Sequence, residues 1–89
     1  MQARFLCPVC GYPDLYDEPW TDGSPSDEIC PSCGTQFGYD DAGMDAAAIT
    51  GRHAQLRQEW RASGCRWFSS SRLPPASWDP SEQLVVFDE

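Results

Sequence analysis

Two short cysteine pairs, Cys7-Pro8-Val9-Cys10-Gly11 and Cys30-Pro31-Ser32-Cys33-Gly34, repeat one design with 19 residues between them. Each C-x-x-C places two thiols on one side of a tight turn, and the glycine behind it permits the positive φ such a turn often needs. Two of these turns facing one another supply four thiolates in a closed tetrahedron, the geometry of structural zinc or of a single iron. Cys7, Cys10, Cys30 and Cys33 are therefore the candidate metal ligands. A redox C-x-x-C explains one pair but neither the duplication nor the shared proline-and-glycine frame. Four thiolates leave no position for water or substrate, which points away from hydrolysis, where three protein ligands and an open site are usual. The donor set reads as structural. Zinc is the expected ion and iron the alternative, since both accept tetrahedral sulfur.

Other reactive side chains are few. Cys65 is the fifth cysteine and His53 the single histidine. Cys65 could act as a nucleophile with His53 as its base, but its place after a helix disfavours a thiolate while Arg66 favours one. Packing beneath the helix end is the simpler expectation for Cys65, and a place on the inner helix face for His53. Asp40 and Asp41 adjoin, so they do not form an acid and base facing across a cleft. With no phosphate loop and no Ser/His/Asp arrangement, a non-catalytic protein is expected.

The elements that must position the thiols follow from the same residues. Gln2–Leu6 predicts a short strand entering the first knuckle, and Thr35–Tyr39 a strand leaving the second. Residues 13–28, with Pro13, Pro19, Gly23 and Pro25 among acids, predict an excursion loop carrying strand at most at its ends. Ile49, His53, Leu56 and Trp60 form one stripe at helical spacing. Asp45 caps that helix if it begins at Ala46–Ala48, and Thr50 caps a shorter one; Gly51 weakens the longer version. Gly64 suits its end. Pro74-Pro75 imposes an extended segment, and Asp79-Pro80-Ser81-Glu82 predicts a capped helical turn through Leu84. Val85–Phe87 read as strand. The expected fold class is α+β: one domain over 1–89, with a metal ribbon at 1–44, a helix at 45–64 and an aromatic, Pro-rich segment at 65–89 packed back.

A chain of 89 residues buries little more than about 60% of its unfolded surface, so a metal staple is useful. Formal net charge is −8 and comes in blocks. Residues 1–45 carry nine acids against Arg4, residues 46–72 five arginines against Glu59, and residues 73–89 four acids and no base. The whole repels nucleic acid, leaving Arg52, Arg57, Arg61 and Arg66 as the only anionic contact surface; matching to carboxylates of the acidic ribbon is the expected use of these side chains. The acidic loop Asp14–Glu28, with Trp20 and Tyr16 as anchors, would steer a basic protein partner instead. Residues 1–10 lack the apolar run of an export signal and no stretch approaches a membrane span, so a cytoplasmic protein is expected.

The strings CPVCGY at Cys7–Tyr12, EICPSCG at Glu28–Gly34, FGYDD at Phe37–Asp41, LPP at Leu73–Pro75 and WDPSEQL at Trp78–Leu84 resemble a group of small uncharacterised bacterial cysteine-rich proteins. They are also similar to the broader cysteine-rich CPCC family, in which a further cysteine stands where this chain has Val9. That resemblance implies a zinc-ribbon-like protein without an assigned activity. The two knuckles are also similar to the iron-binding loops of rubredoxins, which implies an electron carrier; those proteins usually end soon after the second loop, and here 55 residues follow Gly34. Three functions are therefore carried forward: a zinc-stabilised interaction module, a rubredoxin-like single-iron carrier, and an acidic inhibitor or immunity-type partner of a basic protein.

Overall fold

The computed structural model describes residues 4–87. Its two knuckles are built alike. Cys7 N–H donates to the Tyr12 carbonyl at 2.8 Å and Gly11 N–H to the Cys7 carbonyl at 2.9 Å; Cys30 donates to Thr35 at 2.9 Å and Gly34 to Cys30 at 2.8 Å. The sequence repeat is thus a repeat of hydrogen bonding.

The strands at the knuckles are shorter than expected. Single antiparallel bridges join Phe5 to Leu15 and Ile29 to Gln36. Of the strand expected over Gln2–Leu6, residues 1–3 lie outside the described residues and Phe5 alone pairs. Pairing of the strand expected over Thr35–Tyr39 ends with the Phe37 N–H, which donates to the Glu28 carbonyl at 3.1 Å. The Tyr39 and Asp40 N–H groups then turn back to the Gln36 carbonyl, and two carboxylates take the alternate N–H groups. Asp40 accepts the Gln36 N–H at 2.8 Å and Asp41 accepts the Gly38 N–H at 2.6 Å. Such local acceptors offer the backbone an alternative to a ladder, and here a turn wins.

The excursion loop corrects the expectation in the other direction. Strand lies in its middle, where β1 (Trp20–Thr21) pairs antiparallel with β2 (Ser24–Pro25). Asp22 and Gly23 between them hold φ of 51° and 81°. Two successive positive values suit a tight primed hairpin turn, for which Asp-Gly is a preferred pair.

Helix α1 spans Ala46–Ala62, the longer of the two expected versions. The Asp45 carboxylate accepts the Ala48 N–H at 2.8 Å. A cap of this kind stabilises by about 1 kcal/mol, which offsets the similar cost of Gly51 in the helix interior. At the other end Cys65 N–H donates to the Trp60 carbonyl and Gly64 N–H to Arg61, the paired bonds of a Schellman ending. The inner face is the expected stripe: His53 and Trp60 are buried, Ile49 and Leu56 half-buried.

After α1 the chain wraps back over the knuckles. Trp67 stacks edge-on against Tyr12 (5.6 Å) and Trp78 (5.2 Å), and Arg72 lies 4.0 Å from the centre of the Tyr16 ring. All four indole N–H groups find acceptors: Asp41, the Arg66 and Arg72 carbonyls, and Gln83. This lets large rings pack without an orphaned donor. Helix α2 (Pro80–Leu84) starts at Asp79, whose carboxylate takes the Ser81 N–H, and continues as a 3-10 turn over Val85–Phe87. That turn replaces the strand expected there. β-branched residues favour strand only where a sheet edge receives them. The segment still packs back, with the Arg57 guanidinium 3.6 Å over the Phe87 ring. Short strands and helices together make the architecture α+β. The core is centred on the sulfurs, with Val9, Leu15 and Phe37 fully buried around Cys7, Cys10 and Cys30. No helix among the described residues is long and apolar enough to cross a membrane.

Candidate metal centre

The two knuckles bring the four expected thiols together. Cys7 Sγ lies 3.9 Å from Cys33 Sγ, and Cys10 Sγ 3.7 Å from Cys30 Sγ, so each close pair crosses between knuckles. All four sulfurs fall within 4.8 Å of one another. A regular tetrahedron with metal–sulfur distances of about 2.3 Å has edges of about 3.8 Å. The cluster therefore fits a tetrahedral ion and could hold one. Cys7, Cys10 and Cys30 are inaccessible to solvent, and Cys33 is partly covered.

What holds the knuckles comes from far along the chain. Arg57 Nε donates to the Val9 carbonyl at 2.9 Å and its Nη2 to Pro8 at 2.8 Å. The equivalent carbonyls of the second knuckle, Pro31 and Ser32, accept backbone N–H groups of Phe68 and Ser69 at 2.9–3.1 Å. Gln83 then sits between the two, its Nε2 reaching the Cys10 carbonyl at 3.3 Å and Ser32 Oγ at 3.1 Å. Each knuckle tip is thus closed by the segment that follows it in space. The expected matching of arginines to carboxylates is corrected for Arg57, whose acceptors are backbone carbonyls, while Arg52 and Arg72 combine a carbonyl with a carboxylate. Arg52 Nε takes Asp40 O and Arg72 Nη2 takes Asp14 O, while their carboxylate contacts to Glu59 and Glu28 are longer, at 3.4 and 3.9 Å.

Crowding four thiols shifts their acidity. Burial pushes the Cys7 thiol up, and hydrogen bonding with Cys10 pushes Cys30 up; hydrogen bonds from Cys10, Cys30 and Cys7 pull Cys33 down. A thiolate at Cys33 beside neutral thiols at Cys7 and Cys30 lowers the mutual repulsion that several adjacent thiolates would have without a cation. A metal must displace the protons on Cys7 and Cys30, so acid competes with it. With at least these two protons released, apparent affinity should fall about 100-fold or more per unit drop in pH through neutrality. Competition titrations with a chelator across pH check this; a flat profile would mean the ion sits elsewhere. Two further contacts favour the anionic sulfurs: Val9 N–H donates to Cys7 Sγ at 3.4 Å, and the Thr35 hydroxyl lies 3.3 Å from Cys33 Sγ.

The remaining candidates fall outside this cluster. His53 Nε2 is 2.6 Å from Asp41 Oδ2, and the same oxygen accepts the Trp20 indole N–H at 2.7 Å. Asp41 is fully buried and, with its bond from Gly38, ties hairpin, turn and helix together. Nothing in the local sequence of Asp41 signals that role. The same network corrects the expectation for Trp20, which is half-buried with its N–H engaged rather than a free anchor. Glu28 likewise turns inward, accepting the Tyr16 and Asp17 N–H groups. Cys65 packs at the edge of the core beyond the helix end, as expected.

No family model, curated protein or solved structure matches this chain.

Proposed function

We propose that the chain is a zinc-stabilised, non-catalytic protein-interaction module of the small bacterial cysteine-rich, CPCC-like type, acting in the cytoplasm on a basic protein. The supporting observation is the closed S4 cluster, with sulfurs 3.7–3.9 Å apart and three of them inaccessible. Such a site has no open coordination position for hydrolysis. Zinc fits a purely structural duty because it has no redox chemistry of its own. One zinc per chain and no visible absorbance are expected for protein purified from its native cells. Absorbance in the visible would point to the single-iron carrier; no ion, or two ions per chain, would overturn the cluster as a mononuclear site.

The charge blocks support a protein partner over nucleic acid. Net charge is −8 before any thiolate is counted. Arg52, Arg57 and Arg72 spend donors on backbone carbonyls. Affinity for nucleic acid depends on neutralising phosphates and releasing counterions. Binding to duplex DNA or RNA should therefore be undetectable near physiological salt. Micromolar, salt-sensitive binding that disappears in Arg66→Glu would reverse this assignment.

A further inference from the structure

The surface around Leu6 leaves both backbone and apolar side chain unused. Phe5 and Cys7 give their N–H groups to Leu15 and Tyr12. Alternation along the strand turns the Leu6 N–H and carbonyl to the opposite edge, where neither has a partner among the described residues. Leu6 is 46% exposed. Two open grooves meet at it. One, of about 550 Å³, runs between the hairpin and the first turn of α1, with Trp20, Met44 and Ile49 as apolar lining and Glu18 and Asp45 as its charges. The second, of about 390 Å³, runs between the first knuckle and α2, with Trp78 and Val86 beside Asp14, Asp79 and Glu82. No lysine or arginine lines either groove. His53, which borders the first, is held by Asp41.

We propose that this surface docks an extended, basic segment of a partner protein, which pairs its backbone with Leu6 and seats apolar side chains in the two flanking grooves. The proposal rests on the interaction-module reading and moves its binding surface from the tip of the acidic loop to the Leu6 edge. An unpaired edge supplies affinity through main-chain hydrogen bonds, and grooves for side chains supply selectivity. Charge complementarity selects the occupant. Five acids rim the two grooves with no lysine or arginine among them, so an acidic or neutral segment lacks the attraction that a Lys- or Arg-rich one gains. A membrane or nucleic acid would meet the wrong sign of field.

The test is NMR on the zinc-loaded, full-length protein, with a short acetylated peptide carrying arginine pairs on either side of Leu-Thr-Leu-Thr. Its counterpart with glutamate for arginine serves as control. Saturable shifts are expected at the Leu6 amide and the Trp20 and Trp78 indole N–H signals, with slowed exchange of the Leu6 amide and affinity that falls as salt rises. Leu6→Glu should weaken binding about tenfold or more while leaving the remaining spectrum folded; Tyr39→Ala, at a site 78% exposed, should bind like the parent. Shifts confined to residues 14–28 would overturn the Leu6 surface yet keep a basic partner. Absence of binding by the arginine peptide would overturn the surface, and equal binding of the glutamate peptide would remove its charge basis. Leu6 shifts that grow with protein concentration without peptide would assign the edge to a second copy instead.

Discussion

Removing the metal, by chelation or by Cys30→Ser, should unfold the chain, whereas Cys65→Ser should leave both metal and fold in place. The reason lies in how little else joins residues 4–41. The only sheet among the described residues has strands of two residues each, and the knuckle mouths are joined by single bridges. Two-stranded pairing of that length has no independent stability in water. The buried apolar side chains of this half are centred on sulfur, so a cluster without its ion leaves its core built around mutually crowded thiols. Structural zinc contributes on the order of 10 kcal/mol in small zinc domains, comparable with the entire stability of an ordinary domain. Loss of one ligand removes most of that. Cys65 sits outside the cluster and only partly buried; its replacement by serine should cost no more than about 1–2 kcal/mol. Far-UV dichroism and tryptophan fluorescence, followed during chelator titration of each variant, read both effects. Retention of metal by Cys30→Ser together with its loss from Cys65→Ser would mean that the ligands are misassigned.

Features governed by local rules were legible in the sequence. The knuckles follow from ligand spacing, α1 from a 3.6-residue stripe with Asp45 and Gly64 at its ends, and α2 from its Asp-Pro start. The hairpin at Trp20–Pro25 is equally local, but Pro19 and Pro25 beside it disfavour strand and mask the Asp22-Gly23 turn signal. Two failures have a different origin. The strand expected over Val85–Phe87 needed an edge to pair with, and no short-range pattern says whether one is available. The closure of the knuckles by Arg57 and by Phe68 and Ser69 joins residues tens of positions apart. Hydrophobic periodicity does not reveal which backbone carbonyl a guanidinium will find, so the clustering of four thiols was readable and the groups that fix them were not.

Gly11→Ala should destabilise the metal-loaded protein by about 3–5 kcal/mol, and Gly23→Ala by only about 1–2 kcal/mol. Both glycines hold positive φ, 83° and 81°, so the left-handed backbone penalty for a side chain is common to the two. What separates them is space. A Cβ on Gly23 meets nothing within 4 Å, while one on Gly11 lies 2.2 Å from the Gln83 carbonyl oxygen and 3.2 Å from Val86 Cγ2. The obstacle at Gly11 is backbone, so relief requires α2 to lift from the knuckle. Lifting it breaks the Gln83 contacts to Cys10 and Ser32 and frees the Trp78 indole. Gly34→Ala should fall between the two. Its Cβ meets the Phe68 ring at 2.5 Å, but that ring is 60% exposed and can rotate aside. Denaturant melts of the three variants give the order, and Trp78 fluorescence reports whether α2 has detached. The four cysteines are untouched in all of them, so metal content should stay at the parent level. If Gly11→Ala proved no worse than Gly23→Ala, the contact between α2 and the first knuckle would contribute nothing, and the C-terminal segment would be a passenger on the metal ribbon.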